Sequence, residues 1–351
     1  MPPDAVIGWD VGGAHLKAAL VAAGVVQAAV QLPCRLWLGL QELRMAMREM
    51  AQRFGAAPRN AVTMTGEMAD VFPSRKAGVA ALVAEMRAVL APGTVSFYGG
   101  GRGWLDADAA TRAAADVASA NWRAPAEWAA ARLGDGLYLD IGSTTTDIAP
   151  FRHGVVRAQG RDDTSRLVCG ELVYSGVVRT PVMALAGSAP FAGQSVPLMA
   201  ELFATTADVY RVTGQLPEEV DQQPCCDSGE KTPHASARRI ARMVGRDLED
   251  AAFADWYRLA QWLAERQLRR IQDALVRVLA REQLVPGAPL VAAGAGRFLA
   301  PELARRLDRP LLEFSGTVPA PAGDPGWIAA CAAAVAVALL ASGVAVKPGA
   351  G

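Results

Sequence analysis

Excess charge is missing from this 351-residue chain: 35 lysines and arginines balance 35 aspartates and glutamates. No long-range field therefore draws nucleic acid or an anionic membrane, and any phosphate has to be met locally. Cysteine is sparse. Cys34, Cys169, Cys225, Cys226 and Cys331 form an odd set without framework spacing, which argues against a cross-linked secreted scaffold and fits a reducing cytosol. Histidine is rarer still, at three. Cys225-Cys226 with Asp227 and His234 does not make a zinc motif, because adjacent cysteines rarely share a tetrahedral site without a second pair. The start shows no signal-peptide pattern, since residues 1–4 lead directly into a strand pattern. Residues 328–346 are almost wholly apolar, but alanine dominates them, Gly343 interrupts them, and no Lys/Arg bias or aromatic belt flanks them. A buried, closely packed C-terminal helix is expected there, not a membrane span.

What the chain does have is 52% apolar residues, enough length for two cores, and one glycine turn written twice. The copies are Ile7-Gly8-Trp9-Asp10-Val11-Gly12-Gly13 and Leu137-Tyr138-Leu139-Asp140-Ile141-Gly142-Ser143. Each reads as a strand bearing an aspartate, a tight turn, and a small or polar patch: Ala14-His15-Leu16-Lys17 in one, Thr144-Thr145-Thr146-Asp147 in the other. Two such turns facing each other make a phosphate clamp. Backbone N–H groups point at the anion, and the aspartates can hold a divalent cation that neutralises it.

Around the first turn, strand-like runs at 6–9, 17–21 and 25–29 suggest an antiparallel meander. A helix at 40–54, a strand ending at 63–65, a helix at 77–90 and a strand at 95–98 follow. Residues 108–131 read as an alanine-rich helical region interrupted near Pro125. The second half repeats the meander at 137–141, 147–151 and 154–159. A long amphipathic helix spans 255–282, with Trp256, Leu259, Leu263, Ile271, Leu275 and Val278 on one core-packing stripe. A short strand at 290–292, a third glycine turn at Gly294-Ala295-Gly296 and a helix at 300–307 complete the pattern. Residues 214–234 and 316–325 read as loops.

This order of motifs resembles the actin, Hsp70 and sugar-kinase superfamily, across about the whole chain and most specifically at residues 140–147. The resemblance implies an α/β fold of two ribonuclease-H-like domains flanking a central cleft: 1–125 with the first phosphate loop, 126–325 with the second, and a C-terminal helix at 326–346 packing back on the first. Thr65-Gly66-Glu67-Met68-Ala69-Asp70-Val71-Phe72, the segments 170–176 and 179–181, and the block 200–210 resemble the hydantoinase/oxoprolinase-related branch. Together they resemble its short, stand-alone members linked to tetrahydromethanopterin-dependent one-carbon transfer and methanofuran-core synthesis. The activity implied is transfer of an aminomethyl-furanmethyl group from its diphosphate to the phenol of γ-glutamyltyramine, with release of pyrophosphate. Small-molecule diphosphate and phenol are then the partners, without nucleic acid or membrane, and a homodimer is compatible with the reading. The fold equally permits an ATP-dependent kinase or amidohydrolase. Mg²⁺ is the expected cofactor; ATP is permitted but not required.

Candidate residues follow. Asp10 and Asp140 would hold Mg²⁺, with Lys17 beside them. Gly12, Gly13, His15, Gly142, Ser143, Thr144, Thr145 and Thr146 would bind phosphate, with Gly294 and Gly296 as a further phosphate or nucleotide contact. Glu67, Asp147 and Asp208 are candidate bases for a phenol whose unperturbed pKa is near 10. Gly66, Asp70, Glu171, Tyr174, Arg179 and Thr180 would contact substrate, Arg179 being the natural bidentate partner of a carboxylate. Each has a plainer alternative: a hairpin turn for the glycines, turn capping for the aspartates, ion pairing for Arg179, and close strand-to-helix approach for Gly294 to Gly296. Where kinases place a hydroxyl residue after the first glycine pair, this chain has Ala14-His15.

Overall fold

The computed structural model describes residues 2, 4–282, 284–320 and 323–343. The first sheet grows from β1 (Val6–Val11), β2 (His15–Ala22) and β3 (Val25–Pro33), an antiparallel meander. After α1 (Leu40–Phe54), β4 (Arg59–Met64) pairs parallel with β1. After α2 (Arg75–Leu90), β5 (Thr94–Tyr98) pairs parallel with β4, and β6 (Trp104–Leu105) closes the edge. The strand order is β3-β2-β1-β4-β5-β6.

Three short helices then cross to the second half: α3 (Ala107–Arg112), α4 (Ala114–Val117) and α5 (Arg123–Leu133). The break in this alanine-rich region lies at residues 118–122, not near Pro125, which sits inside the first turn of α5 where its missing N–H costs nothing. The division expected between 125 and 126 falls within α5.

The second sheet repeats the plan. β7 (Gly136–Ile141) and β8 (Thr146–Arg152) form a hairpin, and β9 (Val155–Val156) continues the meander as only two residues. Beyond α6 (Asp163–Cys169), β10 (Leu172–Val173) pairs with the other end of β8. A separate hairpin, β11 (Ser188–Phe191) and β12 (Gln194–Pro197), packs with α7 (Thr206–Val212), α8 (Pro233–Met243) and the first half of α9 (Phe253–Glu282). β13 (Leu290–Ala293) and β14 (Leu311–Glu313) add parallel to β7, with α10 (Ala300–Arg306) between them. Each half is thus a hairpin feeding two parallel strands, the ribonuclease-H-like plan.

The apolar C-terminal run forms α11 (Pro325–Ala330) and α12 (Ala332–Ser342), split at Cys331; residues 344–346 of the expected helix lie outside the described residues. Every residue from Ala332 to Leu339 is buried. Small side chains let α12 lie directly on β1: a Cβ added at Gly8 would stand 2.0 Å from the Ala334 carbonyl oxygen. On its other side α12 meets α5, which covers β7 and β8, so one apolar core joins the two sheets. Among the described residues no helix is long and apolar enough to cross a membrane.

Candidate functional site

Both turns close by the same hydrogen bond. Gly12 N–H donates to the His15 carbonyl at 3.0 Å, and Gly142 N–H to that of Thr145 at 2.8 Å. These two donors, expected on phosphate, are consumed in forming the turns. The N–H groups of Gly13, Ala14, Ser143, Thr144 and Thr145 have no backbone acceptor among the described residues. Gly13 opens onto free space, where an added Cβ would meet nothing within 4 Å. Gly13, Ala14, Thr144 and Thr145 line one cleft of about 510 Å³.

The surroundings brace each turn. Behind the second, Gly176 approaches so closely that a Cβ would lie 2.4 Å from Ser143 C and Thr144 N, and the N–H groups of Val177 and Arg179 donate to Gly142 and Ser143. Thr146 Oγ1 donates to the Ser175 carbonyl at 2.8 Å and so lies behind the turn. Thr180 Oγ1 accepts from Gly176 N–H at 2.8 Å, which makes it a brace for the cradle and not a substrate contact. The first turn is held by Thr65 N–H to the Val11 carbonyl and by Gln223, whose side-chain amide donates to the Ala14 carbonyl at 2.7 Å.

Register fixes what lies beneath. Asp10 pairs with Lys17 across β1 and β2, and Asp140 with Asp147 across β7 and β8. Burial acts to lower the Lys17 ammonium, but Asp10, Asp140 and Asp147 outweigh it and raise its pKa, so the lysine is charged. Burial raises Asp10 against the pull of Lys17 and a hydrogen bond from Asn121. It raises Asp140 to about 6, with Lys17 opposing and Asp147 adding. Asp147 is also raised by burial, despite an ion pair with Arg166 at 2.7 Å. Asp10 keeps a buried Oδ1 without a hydrogen-bond partner.

Among the described residues no three His, Cys, Asp or Glu converge on a metal-sized point. Two carboxylates with one orphaned oxygen nonetheless fit Mg²⁺, which is commonly held by one or two carboxylates plus phosphate and water. Asp10 and Asp140 are the residues that would hold it.

The cleft walls contain residues that the sequence did not single out. Ser119 and Asn121 come from the break before α5, and Trp122 lies beside them under the guanidinium of Arg166, 4.0 Å from the ring centroid. Asp163 pairs with Arg75, and Ser119 Oγ donates to Glu67 Oε1 at 3.0 Å. Glu67 lies behind that wall, 1% exposed, raised in pKa chiefly by burial, with Oε2 unpartnered. Opposite, Tyr174 is exposed and Arg179 lies over Trp37 at 4.8 Å, with no ion pair to a described carboxylate. Asp70 also lines the cleft, whereas Gly66 is buried against Leu36 and the first turn.

Several expected site residues lie elsewhere. Asp208 is 2% exposed, capped into the start of α7 and paired with Arg239 at 2.7 Å; it is the centre of a buried ion network. Glu171 accepts the N–H groups of Gln159 and Gly160 and pairs with Arg281, so it fastens a loop. Gly294 and Gly296 back the second turn: their N–H groups donate to Ala329 and Ile141, and a Cβ on Gly294 would clash with Asp140 at 2.3 Å. They do not line the cleft. His15 is buried under the first turn, its pKa lowered to about 3 by burial and by Lys17 and Arg179, so it is a neutral imidazole. Ser143 does not line the cleft by its side chain, but its N–H remains without a backbone acceptor among the described residues.

The cleft brings residues of both turns together with Trp37 and Trp122, whereas Asp10, Lys17 and Asp140 lie outside its lining; a small anion can be seated between the two turns. A protein from Methanocaldococcus jannaschii described as "(4-{4-[2-(gamma-L-glutamylamino)ethyl]phenoxymethyl}furan-2-yl)methanamine synthase" is 30% identical over 245 residues, 70% of this chain and 72% of that one. A protein of the same description from Methanococcus vannielii is 34% identical over 115 residues, 32% of this chain and 50% of that one. Among solved structures, nucleotide-free acetone carboxylase superposes with a TM-score of 0.57 at 12% identity, over 95% of this chain and 70% of that chain, a likeness of fold alone. The family model for hydantoinase/oxoprolinase matches residues 59–339, from β4 through α12 and including the second turn with its cradle but not the first turn, and the chain belongs to that family.

Proposed function

We propose that this protein is a transferase that joins a furanmethyl carbon to a phenol oxygen and releases pyrophosphate. The observation that carries the reading is the pair of turns whose residues 13–14 and 144–145 line one cleft, with N–H groups that have no backbone acceptor among the described residues. Its substrate terms come from the two synthases above, whose name describes a phenoxymethyl furan bearing a γ-glutamylamino group.

A furfuryl-type carbon loses diphosphate dissociatively, because the ring oxygen spreads the developing positive charge. The protein's task is then to stabilise the leaving group. Main-chain donors of both turns meet its oxygens, and Lys17 supplies a fixed positive charge beneath them. Asp10 and Asp140 would hold Mg²⁺, which when bound would supply charge neutralisation to the diphosphate. The phenol ring fits beside Trp122, and Arg179, free of any described carboxylate, receives the glutamyl carboxylate. Asp147 lines the cleft as an acceptor, although Arg166 already holds it. The product serves methanofuran-type cofactor synthesis and through it tetrahydromethanopterin-linked one-carbon metabolism, in the cytoplasm.

The position of Gly294 to Gly296 behind the second turn supports a diphosphate site over an adenine site. Incubating the protein with Mg²⁺, the aminomethyl-furanmethyl diphosphate and γ-glutamyltyramine is expected to yield pyrophosphate and the aryl ether by mass spectrometry. Formation of ADP from ATP with an amide or alcohol substrate, and no ether with any phenol, would overturn the reading.

A further inference from the structure

Ser119 has φ +51°, the left-handed region that an L-residue with a side chain rarely adopts. Ser119 lines the cleft, two residues before Asn121 and three before Trp122, and its hydroxyl lies between the lining residue Asp163 and Glu67 behind the wall. Two carboxylates meet that hydroxyl: Glu67 Oε1 at 3.0 Å and Asp163 Oδ2 at 3.4 Å. They are not equivalent. Asp163 is engaged by the guanidinium of Arg75, whereas Glu67 is buried with Oε2 unpartnered. A serine has one proton to donate, and the shorter contact directs it to Glu67. Backbone strain concentrates where a side chain must be held in a set position at a functional site.

We infer that Ser119 and Glu67 form the proton relay for the acceptor hydroxyl, given the ether-forming reaction proposed above. The phenol proton passes to Ser119 Oγ as the serine's own proton passes to Glu67 Oε1. The phenol oxygen forms its bond to the furanmethyl carbon while the carbon–diphosphate bond breaks, and the diphosphate leaves with that electron pair. Glu67 returns its proton to solvent through the same serine once product departs. Ser119 is the catalytic residue here. Glu67 acts through it and is otherwise a positioning residue. Burial, the largest influence on Glu67, raises its affinity for a proton; hydrogen bonds from its own backbone N–H and from Ser119, and then Arg75, oppose this, and Asp163 adds to it.

The test uses Ser119→Gly, which removes the hydroxyl while suiting a positive φ, and Glu67→Gln, each checked for folding by thermal melt. Initial rates are taken with γ-glutamyltyramine and with a ring-fluorinated analogue whose phenol is more acidic. The relay predicts that Ser119→Gly lowers kcat by about 10²-fold or more with the ordinary phenol, leaving KM near wild type. The loss should shrink markedly with the acidic phenol, and Glu67→Gln should follow the same pattern. Wild-type kcat in Ser119→Gly, or an equal loss with both acceptors, would overturn the relay while leaving ether formation standing. Failure of the wild-type protein to make ether from either acceptor would overturn the reaction itself, and the relay with it.

Discussion

The two glycine turns occupy matching places in matching sheets, close by the same hydrogen bond, and differ in nearly everything they present. Position by position, Gly13-Ala14-His15-Leu16-Lys17 stands against Ser143-Thr144-Thr145-Thr146-Asp147. The first turn couples its aspartate to a lysine; the second couples its aspartate to another aspartate. The first offers backbone donors and a small methyl, the second adds hydroxyls. The hairpin that makes N–H groups available is set by the fold and kept in both, whereas the charge beneath it has diverged. One consequence is that the second turn's pair of carboxylates couples to Lys17 of the other half of the molecule, so the proposed phosphate site draws its charge from both halves.

Removing that lysine should have the largest effect. Lys17→Met leaves Asp10, Asp140 and Asp147 facing an anion, and turnover should fall by at least about 10²–10³-fold in a pyrophosphate-release assay. Near-normal turnover would mean that the asymmetry of the turns is structural. Arg166 is the second turn's own compensation, buried against Asp147 and stacked on Trp122. Arg166→Met should destabilise the protein by about 3 kcal/mol or more in urea unfolding, the cost of stranding a buried charge. A change below about 1 kcal/mol would reduce the pair to the worth of a surface ion pair.

Asp140 permits a sharper comparison. Its pKa in the folded protein is raised to about 6 from 3.8, mainly by burial, so the folded state binds its proton more tightly than the unfolded chain. The stabilisation this gives is fully present below pH 3.8 and is lost as pH rises through about 6. Asp140→Asn should therefore be inactive yet more stable than wild type at neutral pH, on the order of 2 kcal/mol, with the gap closing in acid. Thermal melts across this range would show it, and a gap independent of pH would refute it. The smallest effect is expected from Ala14→Ser, which gives the first turn the hydroxyl that the second has at Thr144. Calorimetric titration should show pyrophosphate bound more tightly by about 0.5–1.5 kcal/mol.

The repeated turns were legible because a strand-to-hairpin reversal with exposed N–H groups needs glycine at a fixed place, and the pattern recurs in sequence. The stripe of α9 was legible through period alone. Of the proposed acceptor side only Asp70, Tyr174 and Arg179 were singled out; Ser119, Asn121, Trp122, Arg166 and Trp37 come from separate segments and meet only through packing between the halves. One local signal was present: Ser-Ala-Asn interrupts an alanine-rich run at the point where the helix breaks. Glu171 and Asp208 show the opposite difficulty. Both lie inside family-like motifs, but one carboxylate serves backbone N–H groups and the other an arginine, and sequence does not distinguish a brace from a reagent.

The seat of α12 on β1 also bears on how the molecule is made. The first sheet is synthesised early, but the helix that covers the Gly8 face of its central strand comes from residues 332–342. A nascent chain that has released only the first half carries β1 with that face unsealed. Its closure waits for contacts between opposite ends of the sequence, which are slow to form because the intervening chain must first be ordered. Folding of the early half is thereby tied to completion of the late one, and a growing chain depends on keeping an apolar sheet face from other partners until its own helix arrives.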